Sequence, residues 1–453
     1  MPTTIDTASL APEFSGQLLQ PADAGYDQAR RVHNGLIDRH PGLIARCGGT
    51  ADIADAVKLA RTLNLEVAVR GGGHNVAGRA TIDRGLMIDL AAMKGIHVDV
   101  RNRTARAQGG VLWKEFNRET QLHGLATTGG VVGTTGIAGL TLGGGLGWLM
   151  PKFGLALDNL RSAEIVLANG TVTRASADEN QDLFWAIRGG GGNFGIASSF
   201  EYTLHPVGPI MTGGLVAHPL QRGVEALKFF RETCESAPDE MMMVAGLLTA
   251  PDGSGAKVVA IAVAHCGPLA HGEAAVRPIK AFGPPVMDHM GPIPYCAQNA
   301  LLDAAFPIGA LSYWKAQFLT ALSDDAIGVI VDRFAACPSP MSQMVIEHFH
   351  GAAGRIGITD TACAMRVNGF NIAIASQWSD PANTTESVEW CRGTYAALKP
   401  FFAPMRYVNY LDHDEGPDPA ADVYGPNYPR LRQLKTKYDP DNFFHTNVNI
   451  KPL

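Results

Sequence analysis

The spacing of hydrophobic residues predicts both helices and strands in the first 206 residues. Residues 50–64 place Ile53, Val57 and Ala60 on one face of a helix, and residues 66–70 then form a short apolar strand. Further along, short apolar runs are separated by turn-forming residues, a pattern that is typical of strands. These additional strands are predicted at 86–90, 96–99, 104–108, 163–167, 171–175 and 200–204.

From about residue 206 onward, longer strands alternate with longer helices. Strands are predicted at 242–249, 258–265, 344–350 and 370–377, and helices at 222–236, 324–336 and 384–399. This alternation predicts a second sheet that is backed by helices. A last helix is predicted at 428–437, after a stretch rich in turn-forming residues.

The overall composition excludes several classes of protein. Hydrophobic residues make up 46% and charged residues 18% of the 453-residue chain, which indicates a folded rather than a disordered protein. The net charge is 37 − 43 = −6 and there is no basic run, so nucleic acid is not an expected partner. The seven cysteines are scattered and residues 1–16 lack a secretory pattern, so we expect a cytoplasmic protein with reduced thiols.

Glycine departs from the usual composition, because 51 of the 453 residues are glycine, about 11% against a usual 7% or so. Nine of the nineteen residues from 129 to 147 are glycine, and residues 120–151 contain no Asp, Glu, Lys or Arg. The GxxxG spacing of Gly139, Gly143 and Gly147 would suit a membrane helix, but so many glycines leave it short of apolar side chains. We therefore expect no membrane association and a backbone wrapped around a large ligand.

Two further glycine-rich segments bear on the identity of that ligand. In RGGGHN, residues 70–75, a strand ends, three glycines expose N–H groups suited to a pyrophosphate, and His74 follows directly. A lone histidine is more often structural, so this position alone does not assign a role. Gly190, Gly192 and Gly195 satisfy GxGxxG, but a helix precedes them and a strand follows, the reverse of a dinucleotide-binding fingerprint. We expect a tight turn there.

Together, these segments resemble the FAD-binding domain of the vanillyl-alcohol-oxidase or PCMH type, in the berberine bridge enzyme branch. The resemblance extends over nearly the whole chain, and the N-terminal half is most similar to members that oxidise 6-hydroxy-D-nicotine. It implies an α+β fold with two domains, an FAD-binding α/β domain and a substrate domain with a sheet backed by helices. The segments that carry it are RGGGHNVAG (70–78), GLTLGGGLGWLMPKFGLALDNL (139–160), DLFWAIRGGGGNFGI (182–196), YVNY (407–410) and YDPDNFFHTNVNI (438–450).

The resemblance also implies how the chain is divided. The FAD-binding domain would take residues 1–206, with its core at about 36–206, and the substrate-binding domain would take residues 207–404. Residues 405–453 would return to the FAD-binding domain as a berberine-bridge-like segment. The reacting end of the flavin would then lie between the two domains.

The resemblance implies a flavin that is covalently attached. In this family a histidine is joined to the flavin 8α-methyl carbon, and His74 holds the matching position; a neutral imidazole nitrogen is a suitable nucleophile for that bond. Many members add a second bond from a cysteine, but Val132 stands there, which implies monocovalent FAD. For Asn449 a structural cap is an equal alternative to flavin contact. The other residues implied to bind FAD are Arg70, Gly71, Gly72, Gly73, Asn75, Val132, Gly133, Thr134, Thr135, Gly136, Gly139, Gly143, Gly144, Gly147, Ile196, Asn447 and Asn449.

In this family the second tyrosine of YVNY faces the flavin N5 and serves as base, which implies that role for Tyr410. Two tyrosines at this spacing are otherwise packing residues, and a phenol near pKa 10 would need a lowered pKa to act as a base. The implied reaction is hydride transfer from a small-molecule substrate to N5, with molecular oxygen as acceptor. The implied donor is an alcohol or sugar CH–OH group. The alternatives are an amine or N-heterocycle, natural-product cyclisation or dehydrogenation, and flavin binding without turnover.

The second domain offers four candidate substrate contacts. His348 and His350 would share one face of a strand as pocket-lining, structural or metal-binding residues, although no third metal ligand is evident. Arg366 and Gln377 lie on strand-like segments and would meet either the substrate or other protein groups. The segment HDEGPDP, residues 413–419, lacks the spacing of a calcium loop and is predicted to be a solvated loop. We therefore expect no metal site.

Overall fold

The computed structural model describes residues 14–416 and 418–453, and it contains helices and sheets in both halves of the chain. The α+β class predicted from the sequence is confirmed. The longer helices are Thr50–Thr62, Trp113–Gln121, Gln181–Ile187, Gly223–Glu235, Leu269–Ala281, Asp324–Ala335, Thr384–Leu398 and Tyr428–Tyr438. Shorter α-helices are Tyr26–Ala29, Ile137–Gly143, Met150–Phe153, Tyr295–Asn299, Ala352–Arg355 and Ala420–Tyr424. Single turns of 3-10 helix include Ala156–Asn159, Gly191–Asn193, Asp303–Ala305 and Val408–Tyr410.

A small, mostly parallel sheet lies near the start of the described chain. Three of its strands are parallel and the first is antiparallel to its neighbour. Helix Thr50–Thr62 buries Ile53 and Val57 against this sheet, which is the face that the sequence pattern predicted. The spatial order of the strands is Gln17–Leu19, Leu43–Arg46, Leu86–Asp89 and Val67–Arg70.

A second sheet in the first half is antiparallel. Helix Tyr428–Tyr438, from the C-terminal segment, packs Leu431 and Leu434 into the apolar core beneath it. The strand order is Ile96–Asp99, Thr104–Gln108, Ile196–Thr203, Leu160–Val166 and Val172–Ser176. Two short strands, Leu125–Ala126 and His205–Pro206, pair beside it. As predicted, a helix precedes the GxGxxG segment and a strand follows it.

The largest sheet belongs to the second half of the chain and is antiparallel throughout. Because alternate side chains of a strand point to opposite faces, Met241 and Met243 pack under the covering helices, whereas Met242 and Val244 face Leu149 and the glycine-rich part of the first half. The strand order is Met287–Asp288, Ile210–Pro219, Lys257–His265, Met241–Thr249, Gln343–Phe349, Gly369–Trp378 and Leu311–Leu319, with Gly291–Pro294 also pairing with Ile210–Pro219. The division of the chain at residues 206 and 404 stays a prediction.

Several elements escaped the sequence pattern. Strand Ile210–Pro219 contains Gly213 and Gly214, which weaken a strand pattern. Strand Leu311–Leu319 contains Lys315 and Gln317, both almost fully buried. Polar residues at buried positions conceal a strand, because their partners come from distant parts of the chain. Helices Trp113–Gln121 and Leu269–Ala281 were also missed. The short strands that were missed are Gln17–Leu19, Leu43–Arg46, Leu125–Ala126, His205–Pro206, Met287–Asp288 and Gly291–Pro294.

The segment predicted as a solvated loop at 413–419 is exposed at His413 and Asp414, but the Glu415 side chain is only 6% exposed. Lys315 is only 8% exposed and places its ammonium 2.6 Å from Asp414 Oδ1 and 2.9 Å from Glu415 Oε1. Arg392 also contacts Asp414, and Arg406 contacts Glu415. Of these four ion pairs, those of Lys315 join the C-terminal segment to the large sheet and that of Arg392 joins it to helix Thr384–Leu398. The buried Lys315 ammonium is tolerated because it is paired.

Two absences can be stated for the part of the chain that the structure describes. No helix in residues 14–416 and 418–453 combines the length and apolar character that a bilayer crossing requires. No group of three or more His, Cys, Asp and Glu side chains among these residues is arranged to hold a metal ion.

Lys435 is a fully buried ammonium that connects three segments around the C-terminal tail. Its Nζ donates to Asp439 Oδ2 at 2.6 Å, to the Asn193 carbonyl at 2.8 Å and to the Phe444 carbonyl at 2.8 Å. Neither side chain of the Lys435–Asp439 pair is exposed to solvent. The tail, the 3-10 turn at Gly191–Asn193 and helix Tyr428–Tyr438 therefore share one polar anchor.

We predict that Lys435→Met lowers the free energy of unfolding by about 3–5 kcal/mol, because it leaves the Asp439 carboxylate buried without its cation. Denaturant unfolding followed by circular dichroism measures this loss. The matched control is Lys437→Met on the same helix, since Lys437 is 57% exposed and exposed substitutions usually change stability by no more than about 0.5 kcal/mol. Equal losses in the two variants would contradict the anchoring role of Lys435.

Candidate active site

A deep cleft lies between the glycine-rich segments of the first half and one face of the large sheet. Its empty space is about 1880 Å³, a figure that includes the open solvent at its mouth. The large sheet contributes Trp314, Val345, Glu347, Ala373 and Ala375 to the wall. The opposite wall comes from the RGGGHN loop, the segment around residues 131–146 and the C-terminal tail. The cleft is therefore formed jointly by segments from both halves of the chain.

Two glycine-rich segments of this wall, one at Gly72 and one at Gly136, are in direct backbone contact. A Cβ atom placed on Gly72 would lie 2.5 Å from both Cα and N of Gly136, and one on Gly136 would lie 2.5 Å from N of Gly72. Real Cβ atoms do not approach backbone so closely, so any other residue at either position would push the segments apart. The sequence RGGG and the glycines near residue 136 are thus required for a shared wall.

His74 follows the glycine turn and lines the cleft. Its ring lies 3.9 Å from the ring of His33, centroid to centroid, and its Nε2 atom is buried without a protein hydrogen-bond partner. Burial and the neighbouring His33 lower the pKa of His74 to about 3. The imidazole is therefore neutral at physiological pH, and one nitrogen remains available for a ligand.

Most of the residues that the sequence assigns to the cofactor meet in this cleft. They come from four separate stretches of the chain, and Tyr410, the predicted base, joins them from a fifth. The predicted residues in the lining are Gly71, Gly72, Gly73, His74, Asn75, Val132, Thr135, Gly136, Gly139, Gly143, Ile196, Asn447 and Tyr410.

The remaining predicted cofactor residues lie behind the lining. Arg70 forms a bidentate ion pair with the buried Asp89, at 2.8 and 2.5 Å, which fixes the start of the glycine turn. Gly133 donates its N–H to Asp303 Oδ1 at 2.6 Å, and a Cβ on Gly147 would collide with the Gly129 carbonyl. These residues shape the wall without lining it. The set behind the lining is Arg70, Gly133, Thr134, Gly144, Gly147 and Asn449.

The two candidate histidines of the substrate domain do not face the cleft. His348 and His350 do share one face of their segment, with stacked rings 4.2 Å apart, and His348 also stacks on Phe370. However, Val345 and Glu347 line the cleft. Alternation along the strand therefore turns the two imidazoles toward the opposite side of the sheet.

The other two candidate substrate contacts are also engaged elsewhere. Arg366 forms a bidentate pair with Asp158, with both N–O distances at 2.8 Å, and it is almost completely buried. Gln377 donates to the Ala305 carbonyl at 3.0 Å. Both side chains are held by protein partners outside the cleft lining, so the structure does not bring them to a substrate.

Glu347 is the residue of the cleft that the sequence interpretation missed. Its Oε1 accepts a hydrogen bond from the Tyr410 hydroxyl at 2.8 Å, and its Oε2 accepts one from Asn371 at 2.8 Å. Burial raises the pKa of Glu347 to about 7. The sequence did contain a signal for this residue. Glu347 is a carboxyl group within the apolar run QMVIEHF, on the strand face opposite His348, and carboxyl groups are rarely buried without a specific role.

Tyr410 does not have the lowered pKa that the predicted base role requires. Burial and the neighbouring Glu347 raise the pKa of Tyr410 well above its usual value of 10. Among the described residues that line the cleft, none is a lysine and the one arginine is Arg79. In the structure the Tyr410 hydroxyl donates a hydrogen bond to Glu347, whose pKa is about 7, and the base role of Tyr410 stays a prediction.

The segment that carries Tyr410 is fixed to the glycine-rich wall. The Tyr407 hydroxyl accepts from the Gly145 N–H at 3.1 Å and from Asn409 Nδ2 at 2.9 Å, and Asn409 also donates to the Leu140 carbonyl at 3.1 Å. A Cβ on Gly143 would collide with the Asn409 amide. The spacing of YVNY thus places Tyr407 and Asn409 on the wall and Tyr410 over the cleft.

The space around Tyr410 and Glu347 is bounded mainly by apolar side chains. Trp314 packs edge-on against Tyr410 at 6.1 Å and against Phe306 at 5.4 Å between ring centroids. The indole Nε1 of Trp314 is buried without a hydrogen-bond partner. The other apolar residues of this part of the lining are Val76, Val131, Val132, Leu302, Phe306, Val345, Ala373 and Ala375.

Comparison with known proteins finds two matching families. Residues 41–176 match the family described as FAD binding domain, and residues 406–451 match the family described as berberine and berberine like. The chain is similar to (R)-6-hydroxynicotine oxidase of Paenarthrobacter nicotinovorans, with 32% identity over 97% of both chains. These matches confirm the family resemblance that the sequence motifs indicated.

Solved structures agree with the fold. The crystal structure of 6-hydroxy-D-nicotine oxidase from Arthrobacter nicotinovorans superposes with a TM-score of 0.88 at 30% identity, covering 97% of this chain and 98% of that one. Glucooligosaccharide oxidase from Acremonium strictum, which has a 6-S-cysteinyl, 8α-N1-histidyl FAD, superposes with a TM-score of 0.86 at 24% identity over 97% of both chains. At that identity the second likeness concerns the fold alone. The fold class expected from the motifs is confirmed.

The raised pKa of Glu347 predicts how stability depends on pH. A carboxyl whose pKa rises from 4.5 in the unfolded chain to about 7 on folding stabilises the fold when protonated, and this contribution is lost as pH increases through that interval. We expect Glu347→Gln to gain about 3 kcal/mol in unfolding free energy relative to the unsubstituted protein between pH 4.5 and 7.5. Denaturant unfolding at several pH values measures it. Glu389→Gln, at an exposed helix position, should show no such gain, and a pH-independent difference at Glu347 would refute the assignment.

Proposed function

The chain belongs to the berberine bridge enzyme-like family of FAD-linked oxidoreductases, and we propose that it oxidises a small, largely apolar amine or N-heterocycle, with its FAD joined to His74 by a single bond. Molecular oxygen is the proposed acceptor, giving hydrogen peroxide. The observation that carries the substrate class is the Glu347 carboxyl, which is buried in an apolar part of the cleft without a cationic partner among the described residues.

Three features support attachment of FAD through His74. The imidazole lines the cleft, it is neutral, and its Nε2 has no protein partner. The backbone contact between Gly72 and Gly136 leaves the glycine turn bare of side chains, as a bound diphosphate requires. Val132 occupies the wall where a second, cysteinyl bond would be made, which supports a single link. When bound, FAD supplies an acceptor for the two electrons and the hydrogen of a substrate C–H bond.

Glu347 is the proposed general base, with Tyr410 as its positioning partner. A base works best when its pKa lies near the working pH, and the pKa of Glu347 is about 7. The Tyr410 hydroxyl donates to one carboxylate oxygen and Asn371 to the other, which fixes the orientation of the carboxylate. Glu347 would accept the N–H proton of the substrate while the neighbouring C–H bond is broken. The proposed base is therefore Glu347, whereas the sequence analysis assigned that role to Tyr410.

The apolar walls favour an amine or N-heterocycle over a sugar. Each sugar hydroxyl that enters a pocket needs a hydrogen-bond partner, and an unpaired one is costly. Leu302, Phe306, Val345, Ala373 and Ala375 provide no such partner. A protonated amine, in contrast, would supply the cation that the Glu347 carboxylate lacks.

An apolar alcohol is the second candidate substrate, and it retains the CH–OH donor implied by the resemblance. The unpartnered Trp314 Nε1–H could donate to a hydroxyl oxygen while Glu347 accepts its proton. For the whole chain, we further propose that residues 1–206 and 405–453 form the FAD-binding domain and residues 207–404 the substrate domain. The seven unpaired cysteines support a cytoplasmic location.

We predict that acid precipitation leaves the flavin attached to the unsubstituted protein. The same treatment should release the flavin from the His74→Ala variant. His74→Ala removes the side chain that would form the bond to the flavin. The control variant is His205→Ala, which changes a half-buried histidine outside the cleft lining and should leave the flavin attached. The flavin absorbance of the supernatant and of the redissolved pellet is the measurement. Complete release from the unsubstituted protein would eliminate the covalent link, without affecting the assignment of Glu347.

Anaerobic bleaching of the flavin tests the reaction. We expect 6-hydroxynicotine and related cyclic amines to bleach it faster than a glucooligosaccharide, with a rate that rises with pH through about 7, because Glu347 must be ionised to accept a proton. Readmission of air should restore the absorbance and form hydrogen peroxide. Faster bleaching by the oligosaccharide would reverse the proposed substrate class, and failure of every donor would favour flavin binding without turnover.

Two variants of the Glu347–Tyr410 pair separate their roles. Glu347→Gln should slow bleaching by roughly 10²–10⁴-fold and abolish the rise near pH 7. Tyr410→Phe should keep the rise but move it to higher pH, because the hydrogen bond from Tyr410 lowers the pKa of Glu347. A rise that persists unchanged in Glu347→Gln would show that another group is the base.

A further inference from the structure

Arg79 is a cation in the wall of the cleft that lacks an anionic partner. No carboxylate of the described residues lies within ion-pair distance of its guanidinium. Its two contacts are long hydrogen bonds to carbonyl oxygens, 3.5 Å from Nη1 to Thr446 and 3.3 Å from Nη2 to Asp412, and its Nε is buried without a partner. A guanidinium has five N–H donors, so most of the binding capacity of Arg79 is unused.

The cost of this arrangement indicates a ligand. Burial lowers the pKa of Arg79, which means that the charged form is poorly solvated in the structure. The two buried lysines of the described chain are paired, Lys315 with Asp414 and Glu415, and Lys435 with Asp439. Arg79 is partly buried, and its Nε is fully buried without a partner. A buried N–H donor that lacks an acceptor is unfavourable, and a ligand anion would satisfy it. Arg79 differs from these lysines in that it faces the cleft.

The distribution of charge within the cleft restricts what that ligand can be. Among the described lining residues, Arg79 and Glu347 are the only Arg, Lys, Asp or Glu side chains. Glu347 is occupied by Tyr410 and Asn371 on the large sheet. Arg79, in contrast, follows the RGGGHN loop in the chain and touches the tail at Thr446, beside the lining residue Asn447. It thus lies where the loop and the C-terminal tail meet.

We propose that Arg79 binds the diphosphate of FAD and connects the RGGGHN loop and the C-terminal tail across it. A planar guanidinium donates to phosphate oxygens in pairs, which would use the N–H groups that now lack partners. The diphosphate is the anionic part of the cofactor. The positive charge of Arg79 would therefore add to the hydrogen bonds that the backbone N–H groups of the glycine turn donate to it. This role is independent of the substrate and of the bond to His74.

The proposal is tested by flavin affinity in the His74→Ala background, in which binding is reversible. FAD and riboflavin, which lacks phosphate, are titrated into the apoprotein and followed by flavin fluorescence. We expect Arg79→Met to weaken FAD binding by roughly 10- to 150-fold, as for loss of hydrogen bonds to a charged group, and to leave riboflavin binding unchanged. Arg79→Lys should recover part of the FAD affinity, because it restores a charge without the planar fork.

Arg39→Met is the matched control. Arg39 donates to the Gly78 and Thr81 carbonyls on the same loop but does not line the cleft, so its loss should weaken FAD and riboflavin to the same extent or not at all. Equal weakening of both flavins by Arg79→Met would show a purely structural role and overturn the proposal. Unchanged FAD affinity would overturn it too, and if binding of carboxylate-bearing substrates weakened instead, the anion would belong to the substrate.

Salt dependence provides a second measurement that needs FAD alone. Raising the NaCl concentration from about 0.05 to 0.5 M should weaken FAD binding less in Arg79→Met than in the parent, because an ionic contact has been removed. The same slope in both proteins would contradict an ion pair with the diphosphate. If the unsubstituted protein releases its flavin in acid, the same titrations apply to it directly, so failure of the His74 link and failure of this proposal are distinguishable.

Discussion

The cleft depends on the contact between two stretches of backbone that leave no room for side chains. Gly72 and Gly136 approach so closely that a Cβ on either would overlap the main chain of the other. This contact joins the loop that carries His74 to the segment that carries Val132 and Thr135. A side chain at either position would push the two segments apart, because a Cβ there would lie only 2.5 Å from the opposite main chain.

Few charged side chains line the cleft, so the two that do indicate which ligand groups it binds. The described lining contains one cation, Arg79, and one carboxyl, Glu347, among mostly apolar and glycine residues. Both are perturbed by burial, in the direction that disfavours the charged form. Each lacks an oppositely charged side chain close enough for an ion pair. A pocket of this kind relies on its ligands to complete its electrostatics, with the diphosphate proposed for Arg79 and a substrate proton or ammonium for Glu347.

The C-terminal segment contacts both walls of the cleft. Its Tyr410 reaches the carboxyl of the large sheet, while Tyr407 and Asn409 hydrogen-bond to the glycine-rich wall. Ion pairs that follow this turn in the chain hold the segment in place, from Lys315 to residues 414 and 415 and from Lys435 to Asp439. Lys315, Glu415, Lys435 and Asp439 are buried, so these pairs resist solvent competition and help to keep the Tyr410 hydroxyl beside Glu347.

The sequence by itself determined the local elements and the cofactor wall. Helix Thr50–Thr62 and the strands near 86, 104 and 258 follow from periodicity, which is a local property. RGGGHN, the glycines of 133–147 and YVNY carry the family resemblance that implied an FAD site. Tertiary structure alone decided which polar side chains face the cleft. It turned His348 and His350 away and Glu347 inward, and it buried Lys315 in a strand by pairing it with residues about 100 positions later. A pKa, an ion pair and the facing of a strand all depend on neighbours that are distant in the chain, and only the folded arrangement specifies them.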